Sequence, residues 1–417
     1  MKFDYIVIGG GLCGLMAGIT LARNGKKTAV ISSGQSALHF CAGSFGLLGK
    51  QNGKYVDSPL SAIADLKDSH PYRKIGADKV AEIADSVPAI LKEAGISVSG
   101  NTKKNHFTFT PFGLPRPSWL TFDGYTSFSD VSEFSKKDVM IVSIQGFLES
   151  YPAFMAENLA KQGFNPRIVT INLQRLTKLS KSNFDMRAVS VAKQMDNDTI
   201  EEFANKINSS AKENELVLIP AVLGINSEKP LNRLRELVSN DLFVVPTIPV
   251  SVSGVRIQNS LQRYFESLGG TYLLGDHVDR GFVNGDNVES VQTSNLGDDL
   301  LTADAYILAS GSLLSEGIVA TPTGFNEQVF GLDINSPANR DEWYNQEFFG
   351  TQPYRSFGVK TDSNFHPSIN GRVIKNLYVA GAVLAECDSL SEDSGAGSAI
   401  VTGIYTADLA MCEYNKN

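Results

Sequence analysis

The chain has 417 residues, a formal net charge of -8 at pH 7, and 42% hydrophobic and 20% charged residues. This length exceeds what one hydrophobic core usually supports, so we expect two domains, and the ordinary composition excludes a disordered or fibrous chain. The negative charge argues against a nucleic-acid partner, because binding to a phosphate backbone depends on a basic face.

The N-terminus and the cysteines indicate where the protein is found. The opening MKFDYIVIGGG is an apolar run too short for a signal peptide, and no segment nears the roughly 20 apolar residues of a membrane span. Cys13, Cys41, Cys387 and Cys412 show no CxxC spacing, which argues against a disulfide framework and against a zinc or iron–sulfur site. We therefore expect a cytoplasmic protein with no metal site, whose membrane association goes through partners.

The first segment predicts the opening of a βαβ unit. Strand, glycine turn, helix and strand are predicted in that order at residues 3–8, 9–14, 15–24 and 27–32. A loop rich in glycine and serine follows at residues 34–49, and helical spacing returns at residues 60–68 and 77–93.

The middle of the chain has an α/β alternation of its own. Strands are predicted at residues 138–145, 167–172, 216–221 and 243–246, and helices at residues 151–162 and 200–213. We therefore expect residues 76–254 to form an α/β domain inserted into the first domain.

The last third returns to short strands that stop at glycine. A helix at residues 255–268 precedes strands at residues 271–274, 280–283, 288–293, 305–309 and 376–381, and a helix at residues 398–411 closes the chain. Strands that stop at glycine near both ends of the chain imply that the first and last thirds share one sheet. The predicted fold class is α/β, with a discontinuous Rossmann-like domain made from residues 1–75 and 255–417.

Gly9, Gly11 and Gly14 form a G-x-G-x-x-G pattern between a predicted strand and a predicted helix. The first glycine allows a tight turn, the second lets the backbone approach a pyrophosphate, and the third allows close helix packing, with the phosphates at the helix N-terminus. The structural alternative is a glycine-rich turn without a ligand. Ser32 and Ser33 stand where an acidic residue usually binds ribose. The ligand is then either a mononucleotide flavin or an adenosine held by other contacts.

Small residues at 35–46 predict a loop whose backbone lies close to a flavin ring. His39 faces the flavin or substrate, or it satisfies a loop hydrogen bond, whereas Cys41 fits a buried filler better than a redox thiol. Residues 394–398 predict a helix N-terminus that stabilises reduced flavin, the alternative being serine capping. The predicted cofactor-binding residues are Gly9, Gly11, Gly14, Ser32, Ser33, Gln35, Ser36, Gly43, Ser44, Ser310, Gly311, Gly381, Gly395, Gly397 and Ser398.

His39 and Arg256 are the candidate catalytic residues. A guanidinium matches phosphate and carboxylate, so Arg256 is a candidate for holding a small anionic substrate. The same reasoning applies to Arg116, His277, Arg340 and Arg355, although most arginines in proteins are simply solvated.

Several segments resemble one family, the B-type subunit of anaerobic glycerol-3-phosphate dehydrogenase. They are GGGLCGLMAGI, GQSALHF, PTIPVSVSGVRIQNSLQRYF, LASGS, GLDI, RDEWY, FGVKTD and LYVAGAV. They run colinearly over almost the whole chain. The strands that end at glycine are more distantly similar to fumarate reductase and L-aspartate oxidase flavoproteins.

This resemblance implies a quinone-linked enzyme that oxidises glycerol 3-phosphate to dihydroxyacetone phosphate. It implies an A-type flavoprotein partner, an iron–sulfur C-type partner that docks the complex on the inner membrane, and FMN as the flavin, whereas the glycine pattern favours FAD. The chain departs from the family at residues 389–395, where Glu392 and Asp393 replace a glycine-dense turn. Two alternatives stay open: a self-contained flavin oxidoreductase acting on another small anion, and a non-catalytic structural subunit.

Overall fold

A computed structural model describes residues 1–130, 137–177 and 186–414 of the chain. Its strands in chain order are β1 Lys2–Ile8, β2 Thr28–Ser32, β3 Ser44–Phe45, β4 Lys50–Gln51, β5 Lys54–Tyr55, β6 Val98–Gly100, β7 His106–Phe109, β8 Pro115–Ser118, β9 Leu120–Phe122, β10 Asp138–Ile144, β11 Asn165–Ile171, β12 Leu216–Pro220, β13 Leu242–Val245, β14 Thr271–Leu274, β15 Val278–Asn284, β16 Asn287–Thr293, β17 Thr302–Leu308, β18 Ile318–Thr321, β19 Gly324–Glu327, β20 Ile334–Asn335, β21 Gly358–Val359, β22 Ser368–Ile369, β23 Arg372–Val373 and β24 Leu377–Val379. Its α-helices are α1 Leu12–Arg23, α2 Pro59–Ala62, α3 Pro71–Ile75, α4 Ala77–Glu93, α5 Pro152–Lys161, α6 Gln174–Thr177, α7 Ala188–Ala192, α8 Asn197–Ser210, α9 Lys229–Leu237, α10 Val252–Ser267 and α11 Gly395–Tyr414.

The described residues divide into two compact units. The first contains Met1–Ala37, Gly46–Ile90 and Leu261–Asn417, and the second contains Leu38–Phe45 and Leu91–Ser260. Two of the four divisions fall inside α4 and α10, and the other two enclose Leu38–Phe45. The sequence-based limits at residues 75 and 254 lie close to these two helices and stay predictions.

The first unit is built on a five-stranded parallel sheet with the order β14-β2-β1-β17-β24. The expected sharing of one sheet by the two ends of the chain is therefore observed. Counted along the chain, the strand order is 3-2-1-4-5, so the direction of winding reverses between β1 and β17. Ligands of such sheets bind beyond the carboxyl ends of the strands at this reversal.

Helix α1 has an almost entirely apolar sequence, as expected for a helix that is buried on all sides. Every residue from Leu12 to Ala22 is buried, and α1 packs against α11, whose sequence is also rich in alanine and glycine. Small residues let the two helices approach closely while both cover the sheet. The strands beneath are buried through most of their length, as expected for a parallel sheet covered by helices.

The second unit has a parallel sheet with the order β11-β10-β12-β13. Its core joins aromatic residues that precede β10 to apolar residues of β10, α5 and β12. The sequence predicted the α/β alternation but missed β6 to β9, which form a hairpin and a small antiparallel sheet with β3. The mixed α/β fold class is confirmed. In the described part of the chain, no helix combines the length and the apolar character that crossing a bilayer requires.

Candidate functional site

The glycine turn after β1 lies at the reversal of the sheet and packs tightly on two sides. Gly9 has a φ of +115°, and an added Cβ there would lie 2.2 Å from the carbonyl oxygen of Ala309. At Gly14, an added Cβ would lie 1.8 Å from the carbonyl oxygen of Gly9. These two glycines let α1 and the end of β17 close on the turn, as the sequence pattern predicts.

Gly11 is different because a side chain could be added there without a clash. The nearest atom to an added Cβ would be Cβ of Ser36, at 3.8 Å, which is an ordinary contact. Gly11 is the N-cap residue of α1 and offers no capping side chain, and the first turn of α1 has no acidic residue. The positive end of a helix with uncapped N–H groups attracts an anionic group.

A polar group next to this turn has no hydrogen-bond partner among the described residues. It is the buried hydroxyl of Ser310, which follows β17, and the backbone nitrogen of Ser310 would lie 3.1 Å from an added Cβ at Gly9. A buried hydroxyl without a partner is costly, so a ligand group that reached it would be favoured. Gly311, which follows, has a φ of +96°, a value that favours glycine.

At the end of β2, the buried serine forms a hydrogen bond within the protein. Ser32 is buried, and its hydroxyl donates to the carbonyl of Gly34 at 3.0 Å, while Ser33 and Gln35 are exposed. No carboxylate stands at the end of this strand, as the sequence shows. Tyr272 on β14 donates its hydroxyl to the carbonyl of Gly10 at 3.1 Å and so fixes the glycine turn. The sequence analysis missed Tyr272, since the contact joins residues that are far apart along the chain.

At the start of α11, some predicted contacts are already used within the protein. The N–H of Gly397 donates to the carbonyl of Gly46 at 2.8 Å. The hydroxyl of Ser398 lies 3.3 Å from that of Ser394. The roles of Gly397 and Ser398 toward a flavin stay predictions, and Gly395 leaves more open space because an added Cβ would meet its nearest atom at 3.7 Å.

Gly381 lies two residues after β24 and has a φ of +78°, and an added Cβ there would lie 2.9 Å from the side chain of Cys13 on α1. Leu308 pairs with Ile8 and with Val379, so β1, β17 and β24 end at the same edge of the sheet. Burial raises the pKa of the Cys13 thiol to about 12. Cys13 is therefore a neutral packing residue at neutral pH.

One known family matches nearly the whole chain. The family described as FAD binding domain matches residues 4–397. The B-type subunit of anaerobic glycerol-3-phosphate dehydrogenase from Yersinia enterocolitica is 37% identical over 414 residues, 98% of each chain. The protein of the same name from Pectobacterium atrosepticum is 35% identical over 421 residues, 100% of each chain. The chain belongs to this family of B-type subunits.

Two solved structures are similar to this chain at low sequence identity. Quinol fumarate reductase FrdA of E. coli gives a TM-score of 0.45 at 9% identity, over 100% of this chain and 71% of that chain. A 3-ketosteroid delta1-dehydrogenase from Sterolibacterium denitrificans gives a TM-score of 0.43 at 10% identity, over 99% of this chain and 100% of that chain.

The predicted flavin cofactor is confirmed by the match to the FAD binding domain. The residues present fit such a group: Gly11 leaves its side open, the start of α1 carries no cap, and Ser310 has an unpartnered hydroxyl. In this flavoprotein the first unit would hold the phosphate end of the flavin with Gly11 and the first turn of α1. The contributions of single residues stay predictions.

The second unit of the flavoprotein contains the remaining predicted site residues, on and around Leu38–Phe45. The start of α10 fixes this segment: Ser251 donates its hydroxyl to the carbonyl of Cys41 at 2.6 Å, and Ser253 does so at 2.9 Å. Ser251 also accepts from the N–H of Gly254 at 3.0 Å, the contact of an N-cap residue. The predicted helix at residues 255–268 therefore begins earlier, at Val252, behind this serine.

One ring nitrogen of His39 makes no hydrogen bond to the part of the chain that the structure describes. This atom, Nε2, is buried, and burial lowers the pKa of the ring, which is therefore neutral at pH 7. Burial also raises the pKa of the Cys41 thiol, against smaller opposite effects of nearby backbone groups and of the Arg116 and Arg256 charges. Cys41 is therefore a thiol at neutral pH, as expected for a filler.

Gly43 and Ser44 have visible structural roles. Gly43 has a φ of +81°, and an added Cβ there would lie 2.3 Å from the ring of Tyr125, while its carbonyl accepts from the N–H of Phe122 at 2.9 Å. Ser44 is buried and pairs with Thr121 of β9. These contacts fix the segment within the second unit. The predicted contacts of Gly43 and Ser44 with the flavin stay predictions.

Arg256 is the most unusual residue of this unit. It is 2% exposed, and Nη1 donates to the carbonyl of Gly224 at 3.1 Å, while its buried Nε has no hydrogen-bond partner within residues 1–130, 137–177 and 186–414. Among the described residues, no carboxylate forms an ion pair with it. A buried charge without a counterion is costly, so this position favours an anion.

The other candidates for an anion lie nearer the surface or are engaged elsewhere. His277 and Arg340 are exposed, and Arg340 lies 5.6 Å from the ring centroid of Trp343. Arg355 lies 3.5 Å from the hydroxyl of Ser391. Arg116 acts on Cys41 together with Arg256. The structure therefore favours Arg256, with Arg116 near the same thiol.

A cluster in the first unit joins His70, Cys387 and Glu392, residue types that also bind metals. Nδ1 of His70 accepts from the N–H of Tyr72 at 3.1 Å, so Nε2 carries the proton and donates to Glu392 at 3.3 Å. Burial and the Glu392 charge raise the pKa of the Cys387 thiol. A metal would need the electron pair of Nε2 and a thiolate. Glu392 accepts from Ser394 at 2.9 Å, so the cluster instead fixes the start of α11.

Proposed function

We propose that this chain is a flavin-dependent subunit of anaerobic, quinone-linked glycerol-3-phosphate dehydrogenase, which oxidises sn-glycerol 3-phosphate to dihydroxyacetone phosphate. Curated relatives with that name match over the full length. The observation that carries the substrate class is the buried guanidinium of Arg256, which has no carboxylate partner among the described residues.

Arg256 would hold the phosphate of the substrate. Its unpartnered Nε and its charge match a phosphate oxygen, and a charged hydrogen bond of this kind contributes about 1.5–3 kcal/mol. Arg116 would add a second positive charge, since both guanidinium groups act on Cys41. A small phosphate ester would be attracted by both positive charges.

His39 would accept the hydroxyl proton of the substrate. Its ring is neutral at pH 7 because burial lowers its pKa, and the buried Nε2 is free among the described residues. A bound flavin supplies the two-electron acceptor for the hydride on carbon 2. Loss of that hydride and of the hydroxyl proton converts the secondary alcohol to a ketone, which balances the oxidation.

The electrons would leave through other proteins. The cysteines of the chain lack the spacing of an iron–sulfur site, and no described helix suits a bilayer. We therefore propose an A-type flavoprotein partner and an iron–sulfur C-type partner that carries the complex to the cytoplasmic side of the inner membrane. Attachment to membranes should disappear when these partners are removed.

Substrate binding tests the role of Arg256 without relying on turnover. Calorimetry of the flavin-loaded chain with glycerol 3-phosphate should show about tenfold to 100-fold weaker binding for Arg256→Gln, from the loss of one charged hydrogen bond. Arg256→Lys should recover part of the affinity. Arg263→Gln is the control, since Arg263 is an exposed arginine of the same helix. Unchanged binding by Arg256→Gln would remove the proposed phosphate contact.

Stopped-flow flavin reduction separates a relay subunit from a self-contained enzyme. The isolated chain should be reduced slowly by glycerol 3-phosphate, and the A-type partner should restore the rate. Rapid reduction of the chain alone, followed by reoxidation with a quinone analogue at full rate, would favour the self-contained enzyme. Absence of flavin bands after gentle purification would favour a structural subunit.

A further inference from the structure

Two neighbouring aromatic residues project from a surface loop of the first unit. Phe348 is 82% exposed and Phe349 is 97% exposed, and their ring centroids lie 5.1 Å apart. Single exposed apolar residues are common, but adjacent phenylalanines this exposed form a concentrated apolar surface. Aromatic side chains of this kind often dominate the binding energy of an interface.

The loop that carries them is held by a buried amide. Gln352 is 6% exposed and accepts from the N–H of Asn345 at 2.9 Å. Its Nε2 donates to the carbonyl of Glu347 at 2.9 Å and lies 3.4 Å from that of Phe348. A turn between Glu347 and Gly350 closes the loop. The exposure of the two rings is therefore imposed by the fold, which lowers the entropy cost of binding through them.

The base of the loop is anchored in the same unit. Trp343 is buried, donates Nε1–H to the carbonyl of Pro337 at 2.8 Å, and packs on Phe325 at 4.6 Å between ring centroids. Phe325 packs in turn on Phe357 at 5.1 Å. The loop that carries Phe348 and Phe349 is therefore anchored at its base by packed aromatic residues.

Acidic side chains occur close to the pair in the sequence. Asp341, Glu342 and Glu347 are exposed, and among the described residues none of them forms an ion pair. Glu342, Tyr344 and Glu347 line a shallow depression of about 670 Å³ on the same loop. A lysine or arginine of a partner would be attracted to these carboxylates.

We propose that Phe348 and Phe349 dock another protein of the complex, one that presents an apolar pocket bordered by basic side chains. The charges argue against other occupants. A second copy carries the same acidic loop and a formal net charge of -8, and an anionic lipid surface repels the same carboxylates. The proposal rests on the proposed function in one respect, that partner proteins exist.

The test uses the flavin-loaded full chain and its purified A-type and C-type partners. Phe348→Ser combined with Phe349→Ser should weaken binding to one partner about 100-fold, as expected for loss of an aromatic anchor. Leu314→Ser is the matched control, because Leu314 is 73% exposed on another loop of the same unit and should leave affinity unchanged.

A charge variant tests the basic border of the pocket. Glu342→Gln combined with Glu347→Gln should slow association and flatten its salt dependence, with little effect on folding because both side chains are exposed. Wild-type affinity in the phenylalanine variant would overturn the proposal, even if the partners still accelerate flavin reduction. So would self-association of the wild-type chain, or binding to anionic vesicles, that the variant abolishes. Failure of the wild-type chain to bind either partner would overturn both this inference and the proposed complex.

Discussion

Gly11→Val separates the two functions of the glycine pattern in the first unit. An added Cβ at Gly11 meets only Ser36, at 3.8 Å, and its φ of -77° suits any residue. The protein itself therefore has room for a side chain here. A valine would fill the space through which we expect the backbone to approach the flavin phosphates.

The expected magnitudes differ for stability and for binding. Replacing glycine at an N-cap with an apolar residue costs about 0.5–1 kcal/mol of helix stability. Loss of two charged hydrogen bonds from backbone N–H groups removes at least about 3 kcal/mol of binding, or about 100-fold in affinity. Gly11→Val should therefore fold and lose the flavin.

Two matched variants define the assay. At Gly14 an added Cβ would lie 1.8 Å from the carbonyl oxygen of Gly9, so Gly14→Ala should lower folding stability itself, by about 1–3 kcal/mol or more. Gly324 has no atom within 4 Å of an added Cβ, so Gly324→Val should keep both flavin and fold. The measurements are the flavin-to-protein absorbance ratio after gel filtration and the unfolding midpoint. Full flavin content in Gly11→Val would refute the proposed phosphate site.

Further predictions concern pH, a buried ion pair and the flavin. Burial lowers the pKa of His106 to about 4, from an ordinary 6.5. Between these values only the unfolded chain gains this proton, so about 2 kcal/mol of stability is lost by about pH 5. His106→Gln should reduce this loss in unfolding titrations, unlike His277→Gln at an exposed position; an identical pH profile would contradict the burial argument. Glu215, whose side chain is 1% exposed, binds Arg167 through both carboxylate oxygens. Glu215→Gln should lower the free energy of unfolding by about 3 kcal/mol, and a change below the error of the urea midpoint would show that the pair adds no stability. Chromatography of flavin released by heat should find FAD, since the open approach at Gly11 suits a pyrophosphate; FMN alone would show that the adenosine end has no site.

The local sequence pattern was sufficient to predict the longer helices and strands. The predicted helix at residues 77–93 coincides with α4, and the predicted strand at residues 3–8 lies within β1. Apolar periodicity and glycine position depend on neighbours along the chain, so a sequence shows them directly. The glycine pattern also predicted a tight turn at Gly9 and close packing at Gly14, and the structure has both. The approach of a pyrophosphate to Gly11 stays a prediction.

The short strands could not be predicted in the same way, because they have too few residues to show a periodic pattern. Strands β6 to β9 and the hairpins after β17 are short, and their pairing depends on partners elsewhere in the chain. The place of Leu38–Phe45 in the second unit could not be predicted for the same reason. The serines that bind this segment stand at the start of α10, more than 200 residues later in the sequence.

The sequence by itself determined the fold class, the position of the glycine turn and the family resemblance, because each depends on residue types at short, fixed spacings. Only the tertiary structure decided the state of single side chains. The sequence offered Arg256 as one of several candidates for an anion site, and only its burial without a carboxylate partner among the described residues sets it apart from the others. His70 and Glu392 stand 322 positions apart and meet through folding. Burial, protonation and pairing depend on atoms brought together across the whole chain, and no local pattern contains that information.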